Sequence, residues 1–232
     1  MQYTTSDLDL LELKMAEQSR RSFWAFRQHM HPTLIKGWFA RDASRQLQEF
    51  HEDLVAGRRP KLLLMAPPQH GKSMLIIDFI AWAIGQNPNL RSIYASFSSR
   101  LGTRANLALR RMMQSRQYKA TFPALSLPDR TSDLQLTNDF IEFEGGEASF
   151  RNTTVKGSVT GESLDLGVID DPIKGSDEAR SETARNNAWD WLTDDFMTRF
   201  TDKAGLLGIM TRWHLDDPFG RLIDADSTIR VL

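Results

Sequence analysis

The stretch 61-KLLLMAPPQHGKSMLIIDFIAWAI-84 leaves the chain few choices. An apolar run of strand length leads into a turn with two prolines and a glycine, and an apolar pattern of helical length follows at once. Strand, tight loop, helix is the arrangement this predicts. At the mouth of such a helix the first backbone N–H groups lack intrahelical partners and the peptide dipoles leave partial positive charge. A lysine and a serine placed there, Lys72 and Ser73, therefore build an anion site. Ala66-Pro67-Pro68-Gln69-His70-Gly71-Lys72-Ser73 fits the phosphate-binding loop pattern, with Ala66 where the first glycine normally stands. In that pattern the lysine sets a point charge on the outer phosphates and the serine hydroxyl holds Mg²⁺. His70 reads as a packing or polar-anchor residue rather than a base.

A phosphate cradle needs a carboxylate for its metal on a neighbouring strand. The segment 164-LDLGVIDDPIK-174 supplies two at the end of an apolar run, the edge at which open α/β sheets bind ligands. Asp170 is expected to hold Mg²⁺, usually through water, and Asp171 to orient or deprotonate the attacking water. In 209-IMTRWHLDDPFGRL-222, Thr211 stands at the corresponding strand end and is expected to sense the terminal phosphate. Trp213, His214 and Asp217 read as core and helix-start residues, and His214 lacks the second spaced histidine that a metal cluster requires.

The rest of the chain alternates strand and helix patterns, which predicts an α/β fold with a central, mostly parallel sheet flanked by helices. Strands are expected at Lys61–Ala66, Arg91–Phe97, Phe140–Phe143, Leu166–Asp170, Leu206–Met210 and Thr228–Leu232. Helical patterns occupy Ser73–Ile84, Arg100–Met113 and Ala179–Phe200, the last with Trp189, Leu192, Phe196 and Phe200 on one stripe. Residues 6–30 and 42–56 read as amphipathic helices, the first marked by Leu8, Leu11 and Met15. The 232 residues suit one large domain, residues 38–232, preceded by an N-terminal helical extension over 1–37.

Charge excludes one simple scheme: 29 basic against 30 acidic residues give a net charge of −1, so any contact with nucleic acid must be local. The absence of cysteine excludes disulfides and thiolate metal sites. The acidic N-terminus has no signal-type apolar core, and the longest apolar run, Met74–Ile84, is interrupted by Asp78 and too short for a bilayer. A soluble chain is expected.

Six ordered segments, 66-APPQHGKS-73, 95-ASFSSRL-101, 157-GSVTG-161, 168-VIDDPIK-174, 189-WDWLTDDFMTRF-200 and 210-MTRWHLDD-217, together resemble the ATPase domain of the large terminase subunit of tailed bacteriophages. The resemblance covers most of the chain from about Trp38. It implies a P-loop NTPase fold, ATP and Mg²⁺ as ligands, and hydrolysis coupled to translocation of double-stranded DNA into a procapsid. It also implies a homo-oligomeric ring, a portal protein and a small terminase subunit as partners, no membrane, and action in the host cytoplasm. Large terminases carry a nuclease domain after the ATPase domain, and no such domain is expected within these residues. The family often has Asp-Glu where this chain has Asp170-Asp171, so Glu178 or Glu182 stays open as the hydrolytic carboxylate. Many relatives have an arginine inside the phosphate loop, where Gln69 stands here. The charge-stabilising arginine is then expected from the cluster Arg100, Arg104, Arg110 and Arg111, presented to a neighbour's site, with Arg104 and Arg110 the leading candidates. Gln46 or Gln48 is the candidate for adenine contact. Two other functions remain open on sequence: another P-loop DNA translocase such as a helicase, and an assembly module that binds nucleotide with negligible turnover.

Overall fold

Apolar runs that carry no polar alternation form strands when both faces are covered, and this decides the architecture. The computed structural model describes residues 5–232, with side chains from residue 10 onward. Of the expected helical stripe, Leu8 therefore has its side chain outside the described residues, and Met1–Thr4 lie outside them altogether.

The chain opens with α1 (Thr5–Arg21), α2 (Phe23–Met30) and α3 (Trp38–Val55), then runs through β1 (Lys61–Met65), α4 (Lys72–Gln86), β2 (Arg91–Ser96), α5 (Ser99–Gln114) and α6 (Arg116–Thr121). There follow β3 (Phe140–Glu142), β4 (Ser149–Thr154), β5 (Leu164–Asp170), α7 (Gly175–Arg180), α8 (Glu182–Asp190), β6 (Phe200–Met210), α9 (Pro218–Ala225) and β7 (Arg230–Val231). The seven strands form one sheet in the order β3-β4-β2-β5-β6-β1-β7, parallel throughout except for the antiparallel β3–β4 pair at one edge.

Alternate residues of each strand point to opposite faces. Leu62 and Leu64 of β1, Val168 of β5 and Leu207 of β6 pack with Phe50, Phe79, Ile80 and Trp82 on one side. Leu63, Ile169 and Leu206 pack with Trp191, Phe196, Phe219 and Leu222 on the other. Close packing leaves no room at Gly208 of β6, where a Cβ would stand 2.5 Å from Leu63 and from the Phe219 ring.

Several elements differ from expectation for local reasons. The helix expected over residues 6–30 breaks at Ser22, whose hydroxyl accepts from Ala25 N–H and starts α2 afresh. Leu11 and Met15 face solvent; α1 instead buries Ala16 and Ser19. The main core also takes Phe23 and Phe26 from α2, so α2 shares the sheet's own hydrophobic layer. The long helix expected over Ala179–Phe200 is divided at Ser181, which caps α8, and then widens into a π turn over Trp191–Phe196, after which a 3-10 turn over Met197–Arg199 leads into β6. β4, read from SFRNTT, escaped detection because its polar residues hide the alternation that buries Phe150 and Asn152.

Candidate functional site

Parallel strands joined by helices end at one edge, and the register makes that edge level: Met65 pairs with Met210, Asp170 with Ile209, and Ser96 with Asp170. β6 lies between β1 and β5. The loop after β1, the carboxylates at the end of β5 and the residue after β6 are thus neighbours although they lie far apart in sequence.

The loop Ala66–Ser73 turns sharply enough that Gln69 (φ 65°) and Gly71 (φ 74°) both adopt left-handed conformations. Gly71 is the N-cap of α4 and no side chain caps that helix, so its first N–H groups remain available to an anion. Lys72, almost wholly buried, donates to Ala66 O (2.5 Å), Pro67 O (2.9 Å) and Thr211 Oγ1 (3.0 Å). Burial lowers its pKa, against the opposing pull of Asp171 and Asp170. His70 Nδ1 lies 3.0 Å from Pro68 O and its ring stands edge-on to Phe39.

At the end of β5 the two carboxylates live in different surroundings. Asp170 is buried; its Oδ2 accepts from Ser73 Oγ (3.0 Å) and from the Tyr94 hydroxyl, while its Oδ1 is buried with no partner. Burial raises its pKa to about 6 despite Tyr94 and Ser73, and the same burial together with Asp170 drives the Tyr94 phenol far above its ordinary value. A buried orphan oxygen beside a hydroxyl is a hard donor set and suits a divalent cation such as Mg²⁺. Asp171 has φ 46°, accepts from Thr211 N–H at Oδ1 (2.9 Å), and has no hydrogen bond at Oδ2 among the described residues. Thr211 therefore touches Lys72 on one side and Asp171 on the other.

These groups line a cavity of about 410 Å³ with Gln69, Gly71, Lys72, Ser73, Asp171 and Thr211 on its walls. Among its described lining residues Lys72 is the one cation. Two further cavities flank α4. One, of about 480 Å³, has Leu34, Ile35, Phe39, His70, Gly71 and Met74 among its walls; the other, of about 650 Å³, reaches Ser73 and Asp170 from the side of α5.

The remaining candidates fall elsewhere. Glu178 is exposed and accepts from Lys174 N–H (2.7 Å), and Glu182 is exposed at the start of α8; neither lines the 410 Å³ cavity. The arginine cluster splits over two faces of α5: Arg104 and Arg111 line the 650 Å³ cavity beside Ser73 and Asp170, whereas Arg100 and Arg110 do not. Gln46 lines neither cavity at the loop, and Gln48 caps α2 by accepting from Phe23 N–H (3.0 Å). Asp217 starts α9 by accepting from Gly220 N–H (2.8 Å) and pairs with Arg212, and His214 Nδ1 accepts from Asp216 N–H (3.0 Å). Reading the residues alone missed Tyr94, Phe97 and the wall at residues 33–40, and it read Trp213 as a core or helix-start residue where the structure exposes it on the cavity wall. For Tyr94 a signal existed, since a tyrosine in a buried strand needs a partner for its hydroxyl.

The electrostatics of Asp170 carry a measurable consequence. Its folded pKa of about 6 exceeds the ordinary 3.8, so the charged carboxylate destabilises the fold above pH 6 and this cost fades as pH falls toward 4. In Mg²⁺-free buffer at pH 8, Asp170→Asn is expected to be more stable than the parent by up to ~3 kcal/mol, with the gap closing by pH 4. Denaturant unfolding across that pH range checks this, and an Asn variant that is less stable at pH 8 overturns the account.

A family model described as terminase large subunit, T4likevirus-type, N-terminal, matches residues 63–230. Among solved structures, the HK97 bacteriophage large terminase is similar with a TM-score of 0.56 and 14% identity, over 85% of this chain and 39% of that one. The large terminase of a thermophilic bacteriophage, in complex with ATP-gamma-S, gives a TM-score of 0.47 and 14% identity, over 79% of this chain and 43% of that one. The chain thus spans roughly two fifths of the length of these structures. No curated protein matches it.

Proposed function

The chain belongs to the terminase large-subunit family, whose N-terminal model matches it over residues 63–230, and from this we propose that it is the ATP-hydrolysing unit of a viral DNA-packaging motor. The observation that carries the proposal is the convergence of Lys72, Thr211 and Asp171 from three adjacent strand ends on one cavity. Phosphoryl transfer asks little covalent chemistry of a protein and much positioning of charge, and this cavity offers that.

In this reading the triphosphate lies along Ala66, Pro67, Pro68, Gln69, His70, Gly71, Lys72 and Ser73. The loop N–H groups donate to its oxygens, and Lys72 exchanges the loop carbonyls for the outer phosphates. Ser73 and Asp170 would hold Mg²⁺, which when bound neutralises charge on those phosphates. Asp171 is the base: its Oδ1 is tied to Thr211 N–H and its Oδ2 faces the water to be activated. Thr211, bonded to both sides of the site, senses the outer phosphate. The base end occupies the 480 Å³ cavity, whose apolar walls suit a flat ring. This reading assigns the base contact to that wall in place of Gln46.

Transition-state charge is offset by an arginine from the α5 cluster. Arg104 and Arg110 remain the two candidates for it. Within a homo-oligomeric ring that arginine serves a neighbour's site. Residues 38–232 are the ATPase unit in this reading, and residues 1–37 are an extension whose α2 packs into the same core. Duplex DNA, a portal protein and a small terminase subunit are the partners of the complete subunit, acting at the procapsid in the host cytoplasm. No helix among the described residues is long and apolar enough to cross a membrane.

Phosphate release with Mg²⁺-ATP, measured with and without linear duplex DNA, tests the proposal. Turnover is expected, with further stimulation of the complete subunit by portal-bearing procapsids. Binding without turnover under all conditions points to an assembly module, and stimulation by DNA that ignores the procapsid points to another duplex translocase.

A further inference from the structure

A carboxylate lies where the phosphate site has no use for one. Asp78 stands on α4 within the apolar run Leu75–Ile84 and is fully buried. An unpaired charge there would be costly, and both of its oxygens are in fact engaged. Arg27 of α2, also buried, donates from Nε to Oδ2 (2.9 Å) and from Nη1 to Ser44 Oγ of α3 (3.3 Å). His31 donates from Nε2 to Oδ1 (2.8 Å).

The two partners hold different things. Arg27 ties three helices together through buried contacts, which is a folding role. His31 directly follows α2, is partly exposed, and begins the irregular segment to Gly37. Its carbonyl accepts from Leu34 N–H (3.0 Å), so the turn that sets the direction of this segment starts from His31 itself. His31 itself, Leu34 and Ile35 wall the 480 Å³ cavity together with His70, Gly71 and Met74. Among the described residues, His31 makes the one side-chain hydrogen bond from this segment to α4, the helix that begins with Lys72 and Ser73.

We infer that His31, acting through Asp78, is a positioning residue for the base end of the nucleotide: it fixes the wall at residues 32–37 at a set distance from the phosphate loop. The inference rests on the nucleotide reading of the site. Removing His31 leaves the Arg27–Asp78 pair and the fold in place but frees the wall. A wall in its binding position about a tenth of the time weakens binding ~10-fold, and only for ligands that touch it. Inorganic tripolyphosphate reaches the phosphate loop alone.

Calorimetric titration of the full chain with Mg²⁺-ADP and with Mg²⁺-tripolyphosphate separates these contributions. His31→Ala is expected to weaken ADP ~10-fold and tripolyphosphate less than about twofold, with a native circular dichroism spectrum. His31→Gln, whose amide still donates to Asp78, is expected to restore ADP binding to within about threefold of the parent. Equal weakening of both ligands, no weakening of either, or failure of the glutamine to restore binding overturns the inference. A parent chain that binds tripolyphosphate but not ADP removes the base slot, and with it the inference, while leaving the phosphate site standing. Binding of neither ligand by the parent removes both.

Discussion

Replacing Lys72 by alanine is expected to lower Mg²⁺-ATP turnover by ~10³-fold while the chain stays folded. The lysine is the cation on the cavity wall, held by two loop carbonyls and the Thr211 hydroxyl at the meeting point of β1 and β6. Its stem is buried, so the ammonium acts in a poorly solvated place where a charge is worth more than in water. Alanine leaves two carbonyls and one hydroxyl to water, a modest loss for folding, but no other cation among the described residues that line this cavity. Phosphate release and thermal unfolding measured together decide the matter. A folded Lys72→Ala chain with near-normal turnover removes the proposed function at its centre.

Asp171→Asn is expected to cost ~10²–10⁴-fold in turnover while nucleotide affinity changes little. The substitution isolates chemistry from structure unusually well. Asparagine tolerates the left-handed backbone at this position, and its amide oxygen still accepts from Thr211 N–H. What disappears is the carboxylate charge that the proposed base requires. Glu178→Gln serves as the comparison, because Glu178 caps its own helix through Lys174 N–H and stands outside the cavity. It is expected to hydrolyse ATP within about twofold of the parent. The opposite ranking of the two variants would move the base from β5 to α7.

The loop and the carboxylates that meet at the sheet edge could be located from the sequence for different reasons. The loop at Ala66–Ser73 announces itself because its function needs a particular backbone, and backbone demands are written locally in proline, glycine and helix-start residues. Asp170 and Asp171 could be placed because carboxylates directly after an apolar run mark where a parallel strand ends, although Asp170 itself proves buried. What could not be read is adjacency across the sheet. Nothing local in 209-IMTR-212 says that β6 separates β1 from β5, yet that strand order brings Thr211 to both Lys72 and Asp171. The wall at residues 33–37 was equally hidden, since it has no regular structure and His31, just before it, is tied to Asp78, more than forty residues away in sequence. Boundaries failed where a serine offered the chain an alternative cap, at Ser22 and Ser181.

The placement of β6 also bears on how force could pass through such a molecule. Lys61–Met65 is laddered to Leu206–Met210, and Leu166–Asp170 to Gly205–Ile209, so the anchors of Lys72, Thr211 and Asp171 are welded into a single stiff plate. Sliding one anchor past another would break a whole row of hydrogen bonds at once. Compliance must therefore lie off the plate, in the irregular segments above its edge or in rotation of the plate as a body. If the proposed motor role holds, such a plate would act as a rigid lever with soft mountings rather than as a spring.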